Sequence, residues 1–183
     1  MKHWGISDDC ISRLHLWDEE TEKIIQFMEK EKRGLFLYGD QGRGKTTFVA
    51  SILNYELKRF FDNKSPYKSI QFVFVPDLLE ELKSCFAQDS SKLSGDVICK
   101  YSEYDFLVLD GMGEGGKQTE FVIGALGTLI HHRDANRLTR RTLVTCNWDL
   151  KVLADRTDAR ISSRISGMCE GYEVVGEDHR EKR

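Results

Sequence analysis

Five short apolar runs punctuate the chain: GLFLYG (34 to 39), SIQFVFV (69 to 75), YDFLVLD (104 to 110), RTLVTCN (141 to 147) and, more weakly, GYEVVG (171 to 176). Each is continuous rather than alternating, the pattern of a strand covered on both faces. Between them the period lengthens. Val49, Ile52, Leu53, Leu57 and Phe60 recur every three to four residues, and so do Phe121, Ala125, Leu126, Leu129 and Ile130, which predicts amphipathic helices. Strands alternating with helices predict an α/β fold with a parallel sheet between two helical layers. Pro76 closes the second run, and Asp77 with Glu80 resembles a capping box for the helix DLLEELKSCF. The polar stretch QDSSKLSGD, 88 to 96, reads as a surface loop.

Length and composition narrow the class without naming a chemistry. A chain of 183 residues with 40% hydrophobic content suits one domain. Its 27 basic and 30 acidic residues leave a net charge of -3, so any contact with nucleic acid or an anionic surface must be local. Cys10, Cys85, Cys99, Cys146 and Cys169 are scattered without a C-x-x-C pair, which disfavours a zinc site or a disulfide framework. The start, MKHWGISDDC, lacks a signal-peptide core, and no run is long and apolar enough to span a bilayer. A cytoplasmic home and no membrane partner are expected.

Chemistry enters at GDQGRGKTT. This stretch contains G-x-x-x-x-G-K-T directly after a predicted strand and directly before a predicted helix, the context that gives the motif meaning. The expected ATP-binding set is Gly39, Asp40, Gln41, Gly42, Arg43, Gly44, Lys45, Thr46 and Thr47. Glycines let successive amides point inward at phosphate oxygens, and the helix N-terminus aims its positive end at the same place. Lys45 then reaches the β and γ phosphates, and the Thr46 hydroxyl becomes a Mg²⁺ ligand.

Asp110 ends an otherwise apolar strand, so its carboxylate is expected at the carboxyl edge of the sheet, where open α/β folds bind ligands and where it would help to hold Mg²⁺. A second carboxylate to activate water is expected next, but Gly111 stands there. The nearest substitute is Glu114, flanked by glycines, which reads either as a solvated loop residue or as the base. On the sequence alone, restoring an acid at position 111 is expected to speed hydrolysis. Asn147 ends the following strand and suits a sensor of the γ phosphate or the attacking water; a helix N-cap, shared with Asp149, is the structural alternative. In TDARISSRIS, Ile161 and Ile165 share one helical face while Arg160 and Arg164 share another. Arginines so presented suit a neighbouring subunit's γ phosphate.

The order of these motifs, LFLYGDQGRGKTTFVASILNYEL, DFLVLDGMG, TLVTCNWDLKVL and ARISSRISGMCEGYEVVGEDHR, resembles the AAA+ ATPase domain of DnaC/DnaI-type helicase loaders and the similar IstB-like transposition helper ATPases. The resemblance runs from about residue 18 to the C-terminus. It implies a three-layer P-loop NTPase fold of the AAA+/ASCE type, with a five-stranded parallel sheet ordered 5-1-4-3-2. It also implies Walker A at Lys45 and Thr46, Walker B at Asp110, sensor 1 at Asn147, and an arginine finger at Arg164 with Arg160 beside it. ATP with Mg²⁺ would lie between subunits of a ring or spiral. The chain departs from the family at Gly111, which points to ATP binding with weak hydrolysis. Residues 1 to 17 form an N-terminal extension, with Trp4 and Trp17 as anchors of a docking peptide or as ordinary packing, and residues 18 to 183 form the ATPase domain.

The family resemblance implies a replicative helicase or a transposase as partner and single-stranded DNA as a ligand. The local candidate for DNA contact is HHRDANRLTRR, with Arg133, Arg137, Arg140 and Arg141. Without interleaved aromatics it would bind backbone only. Two other readings stay open: a non-hydrolysing regulatory subunit switched by ATP, and a small-molecule P-loop kinase, although an arginine-bearing lid and an acceptor pocket are not evident between the strands.

Overall fold

The computed structural model describes residues 18–85, 94–114 and 119–175. In chain order they form α1 (Asp18–Glu31), β1 (Gly34–Tyr38), α2 (Lys45–Phe61), β2 (Ile70–Phe74), α3 (Val75–Ser84), α4 (Ser94–Glu103), β3 (Phe106–Met112), α5 (Glu120–Ala135), β4 (Arg141–Cys146), α6 (Leu150–Arg156), α7 (Ala159–Met168) and β5 (Cys169–Glu173). The five strands make one parallel sheet in the order β2-β3-β4-β1-β5, the expected 5-1-4-3-2 read from the other edge. The N-terminal extension of residues 1 to 17, and most of the 88 to 96 stretch, lie outside the described residues.

Side-chain alternation along the strands divides the core into two layers. Leu35, Leu37, Phe106, Val108 and Leu143 join the apolar face of α2, through Val49, Ile52, Leu53 and Leu57, and the buried Ile25 and Met28 of α1. Their sequence neighbours Phe36, Leu107, Leu109 and Val144 pack on the opposite side against α3 to α7. Because both faces are covered, the strands read as unbroken apolar runs.

Three local expectations change. Helix α3 begins at Val75, with Pro76 in its first turn and Phe74 as an N-cap that makes no side-chain bond. The Asp77–Glu80 capping box therefore does not form; Pro76, whose ring fixes a helical φ and which has no N–H to satisfy, starts the helix instead. Ser94 to Asp96, assigned to a loop from their polarity, open α4, whose Val97, Ile98 and Tyr101 are buried. The last strand starts at Cys169, two residues before the GYEVVG run.

One irregularity positions the site. Along β3 the register against β4 moves from Leu109 opposite Val144 to Met112 opposite Cys146, a bulge spanning Asp110 and Gly111. Gly111 takes φ 77° there, a left-handed conformation that costs an L-residue side chain about 1–2 kcal/mol. The bulge turns the chain after Asp110 and brings the following segment back toward the sheet edge.

Candidate functional site

The glycine loop joins the end of β1 to the start of α2. Helix α2 begins from Gly44 at φ 87° and has no side-chain cap, so its N-terminal end is built to meet an anion from outside. Lys45, 7% exposed, turns its ammonium into the loop, donating to the carbonyls of Gly39 and Asp40, each at 2.7 Å. Burial pushes this ammonium's pKa down, and the carboxylates of Glu114, Asp110 and Asp40 push it back up. Asp40 and Arg43 pair on the loop's outer side at 3.3 Å.

Across the sheet edge, the Thr46 hydroxyl lies 3.1 and 3.0 Å from the two Asp110 carboxylate oxygens and donates toward them. Asp110 is buried, and burial pushes its carboxyl pKa up; hydrogen bonds from Thr145 and Thr46 pull it back. Thr145 is a residue the sequence reading passed over. Its hydroxyl donates to Asp110 Oδ1 at 2.6 Å and accepts the Gly111 amide at 2.8 Å, so it fixes the carboxylate and the bulge together. The available signal was a hydroxyl inside an apolar strand, two residues before Asn147.

Glu114 and Asn147 meet. The Glu114 amide donates to the Gly111 carbonyl at 3.0 Å, closing a turn, and Asn147 Nδ2 donates to Glu114 Oε1 at 3.2 Å. A Cβ placed on Gly111 would lie 3.3 Å from the Glu114 carboxyl carbon and 2.8 Å from the Phe74 ring. The space beside Asp110 where the second acid was sought is thus occupied by the carboxylate of Glu114, arriving from three residues downstream. An acid at 111, expected to speed hydrolysis, would have to displace the Phe74 ring and shift the Glu114 carboxyl by a few tenths of an ångström. Asn147 is not the helix cap, since Asp149 takes that role and accepts from Val152 N at 2.8 Å. Trp148 packs against Gly113, where a Cβ would approach its ring to 2.5 Å, and Arg156 stacks over the same ring at 4.6 Å.

The two arginines of α7 differ. Arg160 is exposed and folds onto Asp158, which also caps the helix. Arg164 makes no hydrogen bond or ion pair among the described residues. Neither joins the cluster around Asp110.

The basic stretch separates into unlike parts at the opposite edge of the sheet, where β4 begins. Arg133 is completely buried, and its guanidinium donates to Thr142 Oγ1, to the carbonyls of Ser102 and Arg141, and closely to that of Tyr104. Desolvation and the neighbouring Arg140 push its pKa down to about 9. This residue stitches α5 to the strands and cannot touch DNA, which corrects its assignment as a contact. Arg141 is 5% exposed and also leaves the proposed DNA surface. Arg140 bonds the Ser102 carbonyl at 2.8 Å, and Arg137 pairs with Asp134 on the exposed side.

A five-stranded parallel sheet in this order, with the glycine loop after β1 and the acid at the end of β3, defines the AAA+ class of P-loop proteins. No protein-family model matches the chain. It is 29% identical over 128 residues to the replicative helicase loader DnaI of Bacillus subtilis (strain 168), covering 69% of this chain; it spans 38% of that relative's length. Among solved structures it matches DnaI with TM-score 0.65 and 27% identity, over 86% of this chain and 83% of that one. The DnaC helicase loader matches with TM-score 0.61 and 21% identity, over 80% and 81%. The chain has the AAA+ fold of the DnaC/DnaI-type helicase loaders. Among the described residues, no helix is long and apolar enough to cross a membrane.

Proposed function

We propose that this chain is an ATP-binding AAA+ ATPase that acts on DNA with a partner in replication, in the manner of the helicase loaders it resembles, and hydrolyses ATP slowly in the cytoplasm. The observation that carries the reading is the meeting of the Thr46 hydroxyl and the Asp110 carboxylate at the mouth of the glycine loop. A hydroxyl beside a carboxylate is an all-oxygen donor pair that suits Mg²⁺, an ion that keeps several waters and takes few protein ligands. Bound there, Mg²⁺ would neutralise charge on the phosphate oxygens.

The chain's own groups do the rest. Lys45 exchanges the two carbonyls it holds for phosphate oxygens, and the first turn of α2 receives the anion. Thr145 keeps Asp110 oriented toward the metal. Glu114 serves as the base that takes a proton from water, and Asn147 holds it in place. A carboxylate carried on a glycine-flanked segment is less fixed than one built into the strand, which favours slow turnover. Arg164, which makes no hydrogen bond or ion pair among the described residues and only a longer-range attraction to Asp158, is the residue for a neighbouring subunit's γ phosphate, with Arg160 secondary because it pairs directly with Asp158. A replicative helicase is the partner favoured by the DnaI similarity; the transposition-helper reading names a transposase instead. Contact with single-stranded DNA through the basic stretch reduces to Arg137 and Arg140.

Gly111 favours one second reading, an ATP-switched subunit that does not hydrolyse. Turnover of the parent and Glu114→Gln separates the two. If Glu114 is the base, the substitution lowers the rate about 10²- to 10⁴-fold; equal residual rates would leave the protein a nucleotide-switched subunit.

A further inference from the structure

At the edge of the sheet opposite the glycine loop, where β2 and β4 begin, a cleft of about 480 Å³ opens between the end of α2 and the segment before β4. Glu29, Arg59, Lys64, Tyr67, Thr139 and Arg141 contribute to its walls, three cations against one carboxylate. Arg59 is already neutralised, bridging Glu29 at 2.7 Å and Glu56 at 3.0 Å. Arg141 is not. It lies 5% exposed, its Nη1 donates to the Arg137 carbonyl at 2.6 Å, and its buried Nε has no hydrogen-bond partner. No carboxylate pairs with it among the described residues. A desolvated guanidinium without a counter-charge is costly, and an anion placed beside it offsets that cost.

We propose that this cleft binds a phosphorylated small molecule, with Arg141 and Lys64 holding the phosphate. Lys64 is 72% exposed at the rim and its ammonium, among the described residues, is tied only to Asp62, at 3.4 Å, so it can turn inward at little cost. The donors around the cleft are a fork-shaped guanidinium, an ammonium and the Tyr67 hydroxyl, since the Ser65 and Thr139 hydroxyls already donate to Glu56 and to the Asn136 carbonyl. A phosphate, with three peripheral oxygens and up to two charges, uses more of them than a carboxylate does. The volume exceeds what a bare phosphate fills, which leaves room for the rest of a metabolite. The site lies at the far edge of the sheet from Lys45 and Asp110, so it is separate from the proposed ATP site and does not depend on it.

Phosphates also suit the glycine loop, so the test uses the full chain carrying Lys45→Ala. Backbone amide spectra are recorded during titration with inorganic phosphate and with ribose 5-phosphate at constant ionic strength. Saturable shifts are expected at Ser65, Tyr67, Thr139 and Arg141, with ribose 5-phosphate binding more tightly. Adding Lys64→Glu, at an exposed position that the fold does not need, weakens binding about ten-fold or more. Arg141→Lys, which keeps charge but loses the fork, weakens it as well. Shifts confined to residues 39 to 47, shifts that never saturate, or an affinity unchanged by Lys64→Glu would overturn the proposal. Equal affinity for the two probes would overturn the metabolite in favour of free phosphate.

Discussion

Replacing Gly111 by Ala perturbs the bulge, the Phe74 ring and Glu114 at once. The residue sits at φ 77°, so a side chain there costs about 1–2 kcal/mol in backbone strain. The new Cβ would lie 2.8 Å from Phe74 Cε2 and 3.3 Å from the Glu114 carboxyl carbon. Phe74 is 36% exposed and can swing outward, adding up to about 1 kcal/mol of rotamer strain. Against this, alanine restricts the unfolded chain by about 0.4–1 kcal/mol in favour of folding. The net expectation is a loss of about 1–2 kcal/mol, or a melting temperature lower by about 2–8 °C for a domain of this size. Activity should fall further than stability, because the Glu114 carboxyl must shift by a few tenths of an ångström from its place beside Gly111 and a base is sensitive to such displacement. Thermal unfolding followed by circular dichroism and a coupled ATP turnover assay read the two effects separately. In the double variant with Glu114→Gln, turnover should drop no further than in Glu114→Gln alone. A melting temperature within a degree of the parent's, with turnover unchanged, would refute both the strain at Gly111 and the placement of Glu114.

Two further expectations concern groups away from the nucleotide. Arg133→Met removes the donor to the Tyr104 and Arg141 carbonyls and to the Thr142 hydroxyl, while Arg140 still serves the Ser102 carbonyl; it should cost roughly 3–5 kcal/mol in denaturant unfolding, while affinity for single-stranded DNA, measured where the variant is still folded, stays at the parent's value. Glu56 is fully buried, and burial pushes its carboxyl pKa up against the bonds from Ser65 and Arg59. The stability it contributes is therefore fully present below the carboxyl's ordinary range and is lost as pH rises through the raised value. Parent minus Glu56→Gln stability should fall from pH 4 toward neutrality; a difference that rises over that interval would contradict the direction.

What the sequence made legible was whatever depends on neighbours in the chain. The glycine loop is a local device, and strands buried on both faces carry continuous apolar runs, so β1, β3 and β4 and the acid at the end of β3 could be read directly. Glu114 could not be placed, because its approach depends on a bulge at Gly111 and on the amide of Asn147 from another strand. Helix α4 offered only Val97, Ile98 and Tyr101 as apolar markers and began in a polar stretch. Arg133 was misplaced although a signal existed: Leu126, Leu129 and Ile130 continue to position 133 at helical spacing, which puts the arginine on the buried face of α5. Counting charge along a segment ignored that periodicity.

The central claim is that Lys45, Thr46 and Asp110 form a site for ATP with Mg²⁺. A calorimetric titration of ATP into the full chain, with Mg²⁺ and then with the metal chelated, tests it most directly. The account predicts saturable binding that weakens without the metal, is lost in Lys45→Ala, and no longer responds to the metal in Asp110→Asn. An absence of saturable heat up to millimolar ATP, or binding indifferent to Lys45→Ala, would contradict it.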